Sequence, residues 1–66
     1  MTGDMIRRIR RKAMLTQEEF ATEIGVKQWS VAQWETDKQE PSMKNQRKIV
    51  EFCKNHNIDI EKIKGE

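Results

Sequence analysis

Glutamines at positions 17, 28 and 33, one histidine, one cysteine and an arginine set among aliphatic residues carry the distinctive side-chain chemistry of this sequence. A glutamine amide is planar and both donates and accepts. It matches the N6 and N7 edge of adenine in the DNA major groove, a contact worth about 1–3 kcal/mol of discrimination. The same residue also serves as plain solvated helix surface. The other groups point away from catalysis. His56 stands alone and reads as a surface residue, and Cys53 reads as a small core residue. No nucleophile is spaced with a base and an orienting group, so the chain reads as a non-enzyme. One cysteine forms no internal disulfide, and no cluster suggests a metal or a cofactor.

The charge pattern is more informative than the total. The 66 residues hold 13 basic and 11 acidic side chains, a net charge of +2. Residues 1–13 carry Arg7, Arg8, Arg10, Arg11 and Lys12 against Asp4, a net of +4. Residues 38–48 carry Lys38, Lys44, Arg47 and Lys48 against Glu40, a net of +3. The middle, residues 16–36, carries Lys27 against Glu18, Glu19, Glu23 and Glu35, a net of −3. Two basic blocks flank an acidic segment, and a polyanion would suit the flanks. Solvated helix faces account for part of the same pattern.

The length allows one domain, 1–66, with a small core. A chain this short buries only about 60% of the surface its unfolded form exposes. It leaves no room for a separate ligand-sensing domain, so no small-molecule ligand is expected. Apolar runs are too short for a signal peptide or a membrane span, so a cytoplasmic protein is expected.

Apolar periodicity predicts an all-α chain of five short helices and no strand. Helix one is expected over 4–13, with Ile6, Ile9, Arg10 and Ala13 on one face. Arg10 on that face needs an acidic partner, because a buried unpaired charge is costly. Arg7, Arg8 and Arg11 are placed on the outer face. Thr16 and Glu19 fit a capping box that opens helix two. Phe20, Ala21 and Ile24 form its inner face, and Gly25 ends it. Helix three is expected over 27–36, with Val31, Trp34 and Glu35 inward and Trp29 and Gln33 outward. Pro41 and Ser42 open helix four, with Ser42 as N-cap. Its core stripe is read as Ile49, Val50 and Cys53, widened by Phe52. Asp59 caps a last turn holding Ile60 and Ile63.

Helices two and three form a right-angled pair under steric constraint. Ala21 must be small where the next helix crosses, Gly25 frees the turn, and Val31 packs back at spacings of four and six. The strings Leu15-Thr16-Gln17-Glu18-Glu19-Phe20-Ala21, Ile24-Gly25-Val26 and Trp34-Glu35, followed by Lys38 and Glu40-Pro41-Ser42, complete the pattern. In these residues the chain resembles the phage repressor and Cro-type, lambda-repressor-like, helix-turn-helix family over residues 6–63, with the motif at 17–36.

The resemblance implies a compact five-helix domain whose second motif helix enters the major groove of double-stranded DNA. It implies a transcriptional regulator, a repressor, acting as a weak homodimer on a short inverted repeat with half-sites about 34–36 Å apart. By position it assigns base reading to Gln17, Gln28, Trp29, Ser30 and Gln33. It assigns phosphate contacts to Arg10, Lys27, Thr36, Lys38, Ser42 and Lys44, and it pairs Arg10 with Glu35. Trp29 is unusual, since small or polar residues are commoner there. It suits thymine methyl groups, core cover or a protein interface. Asp37 stands where the family usually has Gly or Asn, Gln46 replaces an apolar residue, and helix four runs about three residues longer. Dimer contacts are expected from Phe52, Ile58 and Ile60. The competing reading is an antitoxin or accessory module that uses this fold to hold a partner protein, motivated by Trp29, Phe52 and the Ile58/Ile60 region.

Overall fold

Four of the five helices among the described residues begin at a side-chain N-cap. A computed structural model describes residues 1–65, and among them it contains five helices and no strand. These are α1 (Gly3–Lys12), α2 (Gln17–Ile24), α3 (Gln28–Glu35), α4 (Met43–Asn55) and α5 (Ile60–Lys64). The Thr16/Glu19 capping box is formed in both directions: Thr16 N donates to Glu19 Oε1 at 2.9 Å, and Glu19 N donates to Thr16 Oγ1 at 3.1 Å. Ser42 Oγ accepts from Asn45 N, and Asp59 Oδ1 accepts from Glu61 N and Lys62 N. Gly25 closes α2 in the left-handed region at φ 76°. Three non-glycine residues close other helices in the same way: Met14, Asp37 and Asn57, at φ 58°, 59° and 56°.

One apolar cluster lies between the helices. Ile6 and Ile9 of α1, Phe20, Ala21 and Ile24 of α2, Val31 and Trp34 of α3, Ile49, Phe52 and Cys53 of α4, and Ile63 of α5 are all buried. Burial pushes the Cys53 thiol up from its ordinary range, so it stays a neutral packing group.

Four expectations need correction. Helix one begins one residue earlier, at Gly3, because Thr2 stands at its N-cap and accepts from Met5 N. Val50 is only half-buried, and Phe52 takes the core position instead, since its ring meets Phe20 edge-on at 5.0 Å and stacks on His56 at 4.1 Å. Phe52 is 5% exposed and therefore offers no surface for a dimer contact. Arg7 is not on an outer face, for it lies three residues before Arg10 and reaches the same carboxylate.

Candidate nucleic-acid interface

The site is built on a buried charge. Glu35, at the end of α3, is 4% exposed. Arg10 holds it with two parallel bonds, Nε to Oε2 at 2.7 Å and Nη2 to Oε1 at 3.0 Å. A third guanidinium nitrogen, Nη1, donates to the Leu15 carbonyl at 3.0 Å. Gln17 Nε2 donates to Glu35 Oε1 at 3.3 Å, and Arg7 Nε lies 3.5 Å from the same oxygen. Arg7 Nη2 also donates to the Glu35 carbonyl at 3.1 Å, so it caps the end of α3. Burial by itself would push the Glu35 carboxyl up. The bonds from Arg10 and Gln17 and the charges of Arg10 and Arg7 outweigh it and hold the group below the usual carboxylate range. In turn, the bond to Glu35 raises the Arg10 guanidinium, although its burial opposes this.

This cluster joins α1, the start of α2 and the end of α3, so it fixes how α3 is carried. The outer side of α3 is left to solvent. Lys27, Gln28 and Trp29 are exposed, with Trp29 at 59%, while Ser30 and Gln33 are half-buried. Lys27 is the N-cap residue, and no side chain caps this helix, nor does an acidic residue stand in its first turn. The Ser30 N–H donates to the Lys27 carbonyl at 3.0 Å, while those of Gln28 and Trp29, in the first turn of α3, have no helical acceptor and favour an anion. The other four helices each have their N-terminus closed by a side chain, from Thr2, Thr16, Ser42 and Asp59.

A family model described as helix-turn-helix matches residues 6–56. The chain belongs to the phage-repressor and Cro-like helix-turn-helix family. Searches of curated proteins and of solved structures returned no match. Membership makes this a DNA-binding domain of the transcription-regulator type, from a family that is typically non-enzymatic and whose partner is double-stranded DNA. Among the described residues, no helix is long and apolar enough to cross a membrane.

Against that family's interface, the expected residues separate into three groups. Gln28, Trp29, Ser30 and Gln33 lie on one short helix, at or near its exposed side, with Lys27 at its N-cap. Lys38, Ser42 and Lys44 are exposed beyond it, and Ser42 Oγ uses an acceptor position for its own cap while keeping a hydroxyl hydrogen to donate. Gln17 is half-buried, and its amide is engaged on Glu35. Two residues expected at phosphates have partners inside the protein. Three nitrogens of Arg10 are bonded inside the protein and its side chain is 14% exposed, so its charge is neutralised by Glu35. The exposed Thr36 hydroxyl donates to the Ala32 and Gln33 carbonyls, at 2.9 and 3.3 Å.

Sequence reasoning missed two members of this region. Arg7 was detectable, since a second arginine three residues before Arg10 shares its helix face. Gly3 carried no such signal. Its amide donates to Asp37 Oδ1 at 2.9 Å, across 34 residues of chain.

Proposed function

We propose that the protein is a sequence-specific transcriptional repressor that binds a short inverted repeat as a weak homodimer. In this reading α3 lies in the major groove and reads bases with Gln28, Trp29, Ser30 and Gln33, with Gln17 nearby at the start of α2. Lys27, Lys38, Ser42 and Lys44 meet phosphates, which set register without reading sequence. Ile58 and Ile60, packed at the edge of the core, supply the dimer contact. The protein works in the cytoplasm without a cofactor or small-molecule effector.

The observation that carries this reading is the start of α3, uncapped and free of acidic residues, with Lys27, Gln28 and Trp29 exposed around it. The motif itself is net acidic. Affinity then comes from flanking lysines and backbone donors, and specificity from uncharged side chains. Selection from random duplex DNA is expected to enrich one short inverted repeat, and recovery of no motif would overturn the reading. The large exposed indole of Trp29 supports a second reading, an antitoxin or accessory module whose partner covers that ring, because Trp is enriched at protein interfaces. A co-purifying protein that quenches Trp29 and abolishes DNA binding would favour it.

A further inference from the structure

The bond from Gly3 to Asp37 joins the first turn of α1 to the turn that leaves α3. We propose that Asp37 is a positioning residue for DNA binding: by accepting the Gly3 amide hydrogen, it holds the segment between α3 and α4 so that Lys38 meets a DNA phosphate. The proposal rests on the DNA-binding reading given above.

The geometry around Asp37 supports this role. Asp37 occupies the left-handed region at φ 59°, a conformation that a non-glycine residue adopts at a cost. Its carboxylate is placed at the N-terminus of α1, where the helix dipole favours a negative charge. Gly3 is the first residue of that helix, and its N–H would otherwise have no acceptor. The approach is tight: a Cβ at Gly3 would stand 2.3 Å from the Trp34 carbonyl oxygen and 2.7 Å from that of Glu35. The start of α1 is therefore seated directly on the last turn of α3.

The segment that leaves α3 has backbone bonds back to that helix, with Thr36 N on the Ala32 carbonyl and Asp37 N on the Trp34 carbonyl, at 3.2 and 3.1 Å. Residues 36–40 are all exposed and lie outside any helix. Lys38 N and Gln39 N both donate to the Gln33 carbonyl, at 3.0 and 3.3 Å. The next fixed point is Pro41, which is buried and accepts from Gln46 Nε2 at 3.1 Å. Asp37 is the residue of this segment whose side chain reaches another helix. It immediately precedes Lys38, so the direction in which Lys38 leaves the backbone follows from how Asp37 is held. Arg7 grips the same turn from α1 through the Glu35 carbonyl. Gly3 lies before the span matched by the family model, and Asp37 lies within it.

Two substitutions separate geometry from charge. Asp37→Asn and Asp37→Gly both remove the carboxylate charge, and both tolerate the left-handed region. Only Asp37→Asn keeps an oxygen to accept the Gly3 amide hydrogen. Affinity for the selected duplex and for a random duplex is measured over a salt series, at a temperature where circular dichroism shows each variant folded. Asp37→Asn is expected to keep the wild-type salt slope. Asp37→Gly is expected to lose about one unit of slope, the value of one phosphate contact. Its affinity for the two duplexes falls by the same factor, so base preference is unchanged. If Asp37→Gly matched Asp37→Asn in slope and affinity, the proposal would be overturned while the DNA-binding reading stood. Wild-type protein that bound neither duplex would overturn both.

Discussion

Arg10 and Glu35 meet side by side, with Nε on Oε2 at 2.7 Å and Nη2 on Oε1 at 3.0 Å, across 25 residues of chain. The pair ties the first helix to the end of the helix that carries the exposed candidate DNA-reading face. Its worth is better judged by what breaking it leaves behind than by its own attraction, because desolvation offsets much of the Coulomb gain.

Removing the carboxylate with Glu35→Ala strands Arg10 and frees Gln17. Breaking a buried pair costs about 3–5 kcal/mol, which is comparable with the whole stability of a domain this small. Urea denaturation is expected to show a largely unfolded variant. Replacing both partners, with Arg10→Met and Glu35→Leu together, should be much milder. Equal losses for the single and double variants would show that the pair is not the reason.

The same carboxylate sets a pH dependence. Its folded-state pKa is held below the unfolded value, chiefly by Arg10 working against burial. The linked stability is therefore fully present above the ordinary carboxylate range and is lost as pH falls through that range toward the lower folded value. Melting temperature should be flat near neutrality and fall in acid. The Glu35→Gln protein should show a shallower acid limb.

Glycines 3 and 25 should respond differently to alanine. At Gly25 the nearest heavy atom to an added Cβ is Lys48 Nζ, 4.0 Å away, so Gly25→Ala meets only the backbone cost of positive φ, about 1–2 kcal/mol. At Gly3 the added Cβ meets backbone oxygens, and α1 must shift off α3. Thermal melts should rank Gly3→Ala as the more damaging.

Met14 offers the reverse change. It is 89% exposed and sits at φ 58°, with its side chain contributing little to packing. Met14→Gly relieves the left-handed penalty, and the net gain should be up to about 1 kcal/mol after the entropy cost of glycine. A lower melting temperature would mean that the Met14 side chain packs in a way its exposure hides.

On DNA, Gln33→Ala and Lys38→Ala should fail differently. Loss of Gln33 is expected to relax preference at one base position, at a cost of about 1–3 kcal/mol for the preferred site. Loss of Lys38 should weaken all sequences alike and lower the salt slope by about one. Binding of both variants to a panel of single-base site variants checks this.

Local rules made much of the architecture legible in the sequence. The capping box at Thr16 and Glu19, the glycine at 25, the N-caps at Ser42 and Asp59 and the spacing of Ile6, Ile9, Val31 and Trp34 depend on groups within a few residues of one another. So does the inference that Arg10 needs an acid, because it follows from a charge on an apolar face. Other features depended on how helices meet, and only the tertiary structure decided them. Phe52 and Val50 are neighbours-but-one on α4, and which of them is buried depends on the rotation of that helix against Phe20. Arg7 and Gln17 acquire their roles only because the end of α3 arrives beside them. The contact between Gly3 and Asp37 spans 34 residues, and neither residue type announces it. Short-range hydrogen bonds and periodicity determined which segments are helices, whereas the burial of one carboxylate and the close approach of two helix ends determined how the exposed face of α3 is presented.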